Sequence, residues 1–427
     1  MSCKFPPPRS AQLAALFGIV LSTACGQDRV ELGDVQPAMG GPAPGAPSAR
    51  DAEKPLYALH VLVFDPDFNA TSYVLLSDTL DLSEISLADA REFPGWVTIA
   101  ALGGRLLVAS EGAPSITRYE FDAERNWIEG ESLSFANQGV LDAGFGRQWL
   151  LNEHTAYTEL EVTKRVVWDP TEFVIRGVME DSSLPLARNA MELEPGLNRQ
   201  VRLHQGPVLR PFYYAEKTDW LEYAPTSQIA VYDPTTNEER AVVDAPCPGL
   251  HVGTQDELGN TYFGLWDALP KLALYGRGPA PCVSRFKLDG TLDQDWAPDL
   301  TSWTGGRFVM VFRYVRHGRA LANVLHQEEL DIDLSSGYTD AVGAELDEGT
   351  HYRVWSFDLQ NETARPVEGM GNTGWGFHAS DLDDRSFVFL PDADYGRTHV
   401  YEVDMDSATA TQRFETAGWV YEWVRVR

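Results

Sequence analysis

Short runs of β-branched, aromatic and aliphatic residues alternate with polar turns along most of the chain, which predicts strands and not helices. One local pattern recurs: a run of β-formers ends in Asp, a polar turn follows, and a second strand leaves. The copies are VFDPDFNATSYVLL from Val63, YEFDAERNWIEGESL from Tyr119, VVWDPTEFVIRGVM from Val166 and AVYDPTTNEERAVV from Ala230. RFKLDGTLDQDWA from Arg285, WSFDLQNETARPVE from Trp355 and YEVDMDSATATQRFE from Tyr401 complete the set. The shared positions are Asp65, Asp122, Asp169, Asp233, Asp289, Asp358 and Asp404. An Asp there closes a hairpin by accepting from backbone N–H groups two residues on, so these carboxylates are expected to be structural and to mark the outer hairpin of each unit. Seven units of roughly 50 residues, each with room for four short strands, predict an all-β fold, a seven-bladed β-propeller, over two stacked sandwiches. Strand pairs such as Trp96–Ala101 with Arg105–Ser110, and Arg307–Tyr314 with Ala320–Val324, would be inner strands. The first copy has little chain before it for inner strands, while the β-rich run from Gly418 to Arg427 has no outer hairpin after it. That run is expected to complete the first blade and close the ring by the C-terminal strand, which removes exposed sheet edges.

The first 55 residues break this pattern. Lys4 and Arg9 precede an apolar run from Ala11 to Leu21, then Ser22-Thr23-Ala24-Cys25. A basic start, a short apolar stretch and small residues describe an export signal over residues 1–24, too short to span a bilayer as a mature helix. Cys25 after small residues resembles the lipobox of bacterial lipoproteins, with Leu21 one place further out than that family's Leu. The resemblance implies cleavage before Cys25 and its acylation, against a plain cleaved signal. Gly26, in place of an Asp, points by the same analogy to the outer membrane. Residues 25–55, rich in Gly, Pro and Ala, read as a lipidated cysteine and flexible tether, leaving residues 56–427 as the propeller.

A hydrophobic content of 44% supplies a sizeable core. The net charge of -29 argues against general nucleic-acid binding, since like charge repels a polyanion. Beyond Cys3 and Cys25, the body holds Cys247 and Cys282. In an exported protein an even pair reads first as a disulfide, with two buried thiols as the alternative.

Propellers bind ligands around the channel mouth, on the loops joining second and third strands. The repeat places these at Glu111–Pro114, Glu159–Lys164, Glu216–Thr226, Asp267–Pro281, His326–Thr350 and Pro391–Arg397. The fourth and fifth units bring Tyr213, Tyr214, Lys217, Trp220 and Tyr223 towards Trp266, Lys271, Tyr275 and Arg277. Cations among aromatic rings suit a flat anionic ligand, through ion pairing, stacking and cation–π contact. Taken singly, Tyr213, Tyr214 and Trp266 also suit core positions at strand ends. Arg313, Arg316, His317 and Arg319 form a second basic cluster, at a turn on the opposite face, where a solvated tip is expected. No HExxH or HxH spacing and no GxSxG elbow occurs, so the sequence carries no metal-site or nucleophile signature.

With the lipobox, the tether and blades such as NEHTAYTELEVTKRVVWDPTEFVIRG (Asn152 to Gly177), the chain resembles exported propeller lipoproteins associated with catecholate siderophore systems. One branch lies beside siderophore biosynthesis genes in myxobacteria. Another comprises surface lipoproteins of gut Bacteroidota that capture ferric catecholates for a TonB-dependent transporter. The resemblance implies a cell-envelope, lipid-anchored protein that binds a ferric siderophore and passes it to a TonB-dependent outer-membrane receptor. Iron would be held by the siderophore, with no cofactor of the protein's own. A propeller scaffold for envelope proteins and a propeller hydrolase or lactonase are the rival expectations.

Overall fold

The computed structural model describes residues 54–144, 148–180, 183–195, 206–216, 223–265, 273–276, 282–330 and 349–427 apart from Trp375, with residues 332, 339, 342 and 345–346 between. Its strands form seven antiparallel blades in a closed ring. Blade 2 shows the plan: Val97–Leu102, Arg105–Ser110, Ser115–Phe121 and Trp127–Ser134 pair in that order. The fourth strand, at the outer edge, is mostly exposed, whereas the second is mostly buried. Blade 3 runs from Gln148–Asn152 through Thr155–Glu161 and Lys164–Asp169 to Val174–Glu180. Blade 4 runs from Met191–Pro195 through Val208–Ala215 and Tyr223–Tyr232 to Glu239–Ala245, with Ala187–Arg188 added beside its first strand.

Blade 5 consists of Leu250–Gln255, Thr261–Leu265 and Ser284–Phe286, with a single bridge from Phe286 to Leu292 where a fourth strand would pair. Blade 6 is Phe308–Arg316, Arg319–Leu325, Tyr352–Asp358 and Thr363–Pro366. A parallel bridge between Leu265 and Val311 joins it to blade 5. Blade 7 is His378–Leu382, Arg385–Pro391, Arg397–Asp404 and Thr409–Ala417. Blade 1 is composite: Trp419–Arg425 pairs with Tyr57–Phe64, which continues to Ala70–Ser77 and Arg91–Pro94. The C-terminal strand therefore closes the ring.

Seven apolar clusters hold the blades together, one between each neighbouring pair, from the blade 1–2 core around Ala58 and Ile99 to the blade 7–1 core around Phe389 and Trp423. Each blade buries both faces, so its strands read as near-continuous apolar runs and not as strict alternation. At the crossover between blades a hydroxyl acts as a clip. Ser72 Oγ donates to the Gly95 carbonyl and accepts from Val97 N–H; Thr398 does the same for Gly418 and Val420. Ser227 Oγ accepts from Leu250 N–H. Gly418 turns this corner at φ +79°, and a Cβ there would lie 2.4 Å from the Leu62 carbonyl oxygen.

All seven repeated aspartates cap their turns: Asp233, for example, accepts from the N–H groups of Thr235 and Thr236, and Asp358 from those of Gln360 and Asn361. Six lie in the hairpin between third and fourth strands, or its remnant in blade 5. Asp65 does not. Its turn joins the second and third strands of blade 1, one hairpin inward of the expected place, so it opens on the opposite face of the ring. The Asp turn marks a tight hairpin, and a hairpin chemistry carries no record of its position in the sheet.

Candidate functional site

The upper face is defined here as the one carrying the turns between second and third strands and the crossovers between blades. Two groups of aromatic side chains lie there. The first is in blades 4 and 5. Tyr213 and Tyr214 are consecutive on one strand, so their side chains leave on opposite sides of the blade. Tyr214 enters the core between blades 3 and 4; its hydroxyl donates to the Pro185 carbonyl at 2.6 Å, and burial raises its pKa. Tyr213 faces the other way but is also buried, in keeping with the core alternative, stacked on the half-buried Tyr223 with ring centroids 5.4 Å apart and lying 5.0 Å from His251, itself buried. Tyr223 and Tyr275, both half-buried, pack against the same core between blades 4 and 5. A disulfide between Cys247 and Cys282, with Cα atoms 5.8 Å apart, pins the end of blade 4 to the third strand of blade 5 beside this stack.

The structure thus brings Tyr213, Tyr223 and Tyr275 to one blade boundary and separates Tyr214 from them. It adds His251, which the sequence reading did not include. Lys217, Trp220, Trp266, Lys271 and Arg277 lie outside the described residues, as do Cys25 and the tether up to Glu53. By chain position, Lys217 and Trp220 fall between the strands ending at Ala215 and starting at Tyr223. Trp266, Lys271 and Arg277 fall between Leu265 and Ser284.

The second group, in blades 7, 1 and 2, was not singled out by sequence. Phe64 is stacked on Phe68 at 5.0 Å and lies 5.6 Å from Trp96, 6.2 Å from Tyr395 and 6.5 Å from Trp419. Trp96 and Trp419, both buried, meet edge-on at 5.8 Å. Tyr421 and His378 extend the group, 4.7 Å apart. A detectable signal existed: the turns Asp65-Pro66-Asp67-Phe68 and Asp392-Ala393-Asp394-Tyr395 share an Asp-x-Asp-aromatic pattern in adjacent blades. Beneath Tyr421 sits His60, wholly buried, its Nε2 3.1 Å from Ser72 Oγ. Because Ser72 gives its one proton to Gly95, the ring must donate from Nε2. Desolvation holds the imidazole neutral, with its pKa down at about 3.

On the lower face a cavity of about 610 Å³ opens between blades 6 and 7, walled by Arg316, His317, Arg319, Arg385 and Arg413. The basic turn read as a solvated tip is therefore part of a wall. Its guanidinium groups are neutralised locally: Arg316 faces Asp381 at 3.4 Å, Arg319 pairs with Asp358, and Arg385 with Glu402 at 2.7 Å. Arg413 reaches Asp81 at 3.0 Å. Among the described residues no group of three or more His, Cys, Asp or Glu converges to hold a metal ion.

No known family model matches the chain, and no curated protein sequence does. Among solved structures, the periplasmic gluconolactonase of Pseudomonas aeruginosa superposes with a TM-score of 0.51 at 14% identity, covering 87% of this chain and 99% of that one. A putative 6-phosphogluconolactonase from Bacteroides uniformis gives 0.50 at 11% identity, covering 88% and 100%. At such identities the likeness establishes a shared propeller scaffold and nothing about chemistry.

Proposed function

We propose that this propeller is a cell-envelope lipoprotein that binds a ferric catecholate siderophore on its upper face, between blades 4 and 5, and delivers it to a TonB-dependent outer-membrane receptor. The observation that supports this most is the Tyr213–Tyr223–His251 stack. It stands at the roots of the two loops that carry Lys217, Lys271 and Arg277 in the sequence. A ferric tris-catecholate is anionic and presents aromatic faces. It therefore needs local positive charge, which a chain of net charge -29 must concentrate, and rings to stack against. The resemblance to siderophore-associated propeller lipoproteins supports the same ligand class and the envelope location, with the lipid on Cys25 as the anchor.

The test is a combined Trp220→Ala, Trp266→Ala, Lys271→Ala and Arg277→Ala variant, measured by equilibrium dialysis against the ferric complex. Each lost stacking or charge contact is worth about 1 kcal/mol, so together they are expected to weaken binding at least about a hundredfold. Unchanged affinity would remove the site from blades 4 and 5.

A further inference from the structure

The lower-face cavity between blades 6 and 7 plays no part in the reading above. It is assembled from three hairpins distant in the chain. Arg316 and Arg319 come from blade 6, Asp384 from the inner hairpin of blade 7, and Asp406 and Arg413 from its outer one. A volume of about 610 Å³ is in the range that takes a small organic ligand. Arg316 is the side chain that the fold leaves incomplete. It is only 15% exposed, yet its guanidinium makes no hydrogen bond among the described residues. Its Nη1 is fully enclosed and faces Asp381 at 3.4 Å, an ion pair without a hydrogen bond. Burying a charged donor without an acceptor is costly. Elsewhere in the same wall the fold avoids it: Arg385 sends Nε and Nη2 to the two oxygens of Glu402 at 2.8 and 2.7 Å. Arg316 lines the cavity, so an acceptor can reach it from there.

The charges of the wall select the ligand. Four arginines and four carboxylates line the cavity, so its formal charge is zero with His317 neutral. The carboxylates are not equivalent. Glu402 is taken up by Arg385, and Asp404 accepts from the N–H groups of Asp406 and Ser407. Asp384 and Asp406 are exposed, with no side-chain partner among the described residues. A purely anionic ligand would meet these two carboxylates, and a purely cationic one would leave Arg316 without an acceptor. A ligand that is neutral overall but carries both charges answers both ends of the cavity. Between the ends, the hydroxyls of Thr409 and Thr411 and the apolar side chains of Val403 and Met405 suit amide groups and small side chains.

We propose that this cavity binds a short zwitterionic peptide, with its C-terminal carboxylate on Arg316 and its ammonium group towards Asp384 and Asp406. The site lies on the opposite face of the ring from the stack in blades 4 and 5 and does not depend on it.

The experiment is calorimetric titration of the full-length protein with trialanine and, separately, with N-acetyl-trialanine and trialanine amide, which lack the cation and the anion respectively. Trialanine is expected to bind, and each capped form to bind at least about tenfold more weakly. Arg316→Lys keeps the charge opposite Asp381 but loses the planar fork, and should weaken trialanine about tenfold. Asp384→Asn should weaken trialanine about threefold and leave N-acetyl-trialanine unchanged. Asp384 sits at φ +60°, a conformation that Asn adopts readily, so this variant keeps the fold. No saturable binding of trialanine overturns the proposal, as does equal affinity for the three peptides. Tighter binding of inorganic phosphate than of trialanine, or an Asp384→Asn variant that binds trialanine as the parent does, also overturns it.

Discussion

Closure of the ring rests on the C-terminal strand, and Trp423 is the residue through which that can be weighed. Its side chain is 1% exposed and lies between blades 7 and 1, with its ring 4.8 Å from Phe387 and 6.1 Å from Phe414. Its backbone N–H donates to Ser380 Oγ at 3.2 Å, tying the closing strand to the first strand of blade 7. Replacing it with Ala removes a full aromatic side chain from a core that can only partly collapse, at a cost of about 3–5 kcal/mol. For a domain of about 370 residues the entropy of unfolding is roughly 0.8 kcal/mol per kelvin, so the thermal midpoint should fall by about 5 °C. Trp423→Phe should behave differently. The indole Nε1 is buried with no hydrogen-bond partner among the described residues. Phe gives up about 1 kcal/mol of apolar contact, but it also stops burying a donor without an acceptor, which costs about 1–3 kcal/mol. The net is about 0 to 2 kcal/mol in favour of Phe, so the Phe variant should unfold at the parent's midpoint or up to about 3 °C above it. Scanning calorimetry of the three proteins decides it. If Ala and Phe lower the midpoint equally, the indole N–H finds an acceptor in the folded protein. If Ala costs less than about 1 kcal/mol, the closing strand does not hold the ring in the way described.

Burial of neutral His60 makes stability depend on pH with a definite sign. Its folded pKa of about 3 lies below the ordinary value of 6.5, so between these pH values the unfolded chain takes up a proton that the native state refuses. Stability should fall as pH drops below 6.5, by roughly 1.4 kcal/mol per unit from this group, and the contribution should level off below pH 3. Comparing urea unfolding of the parent and His60→Gln from pH 7 to pH 4 isolates that slope, and parallel curves would contradict it. Removing the disulfide by a Cys247→Ala, Cys282→Ala pair frees a loop with a sequence separation of 35 residues, which chain entropy values at about 4 kcal/mol. Urea midpoints of the two proteins measure it, and a shift under about 1 kcal/mol would show that this segment is constrained without the bond.

The fold was legible because its punctuation repeats. Asp122, Asp169, Asp233, Asp289, Asp358 and Asp404 sit where a hairpin needs an acceptor, and counting them counts six of the blades. Asp65 supplied the seventh count from a different hairpin, since the same turn chemistry serves any tight reversal. The partner of the first blade could be read from Trp419–Arg425, a strand-forming run with no hairpin of its own. Blade 5 was less legible. Its fourth strand shrinks to the Phe286–Leu292 bridge, although its Asp289 turn is intact.

The site was harder to read because a side chain's direction depends on register. Tyr213 and Tyr214 look equivalent in sequence, yet strand alternation sends one to the His251 stack and the other to the neighbouring core. His251 came to the site from a first strand, which a search confined to loops could not reach. Phe68 and Tyr395 were hidden for another reason: a polar turn is expected at both places, and although the two turns share a pattern, only the fold brings their rings together around Phe64.

The claim that this propeller captures a ferric siderophore is tested most directly by its own fluorescence. The chain has 12 Trp residues, and a ferric catecholate absorbs light and quenches indole emission on contact. The protein would be titrated with a ferric catecholate siderophore, with the iron-free siderophore and an unrelated coloured anion as controls. Saturable quenching, micromolar or tighter, is expected with the ferric complex alone. A linear response without saturation, or equal quenching by the control anion, would contradict it and turn attention to protein partners of the propeller face.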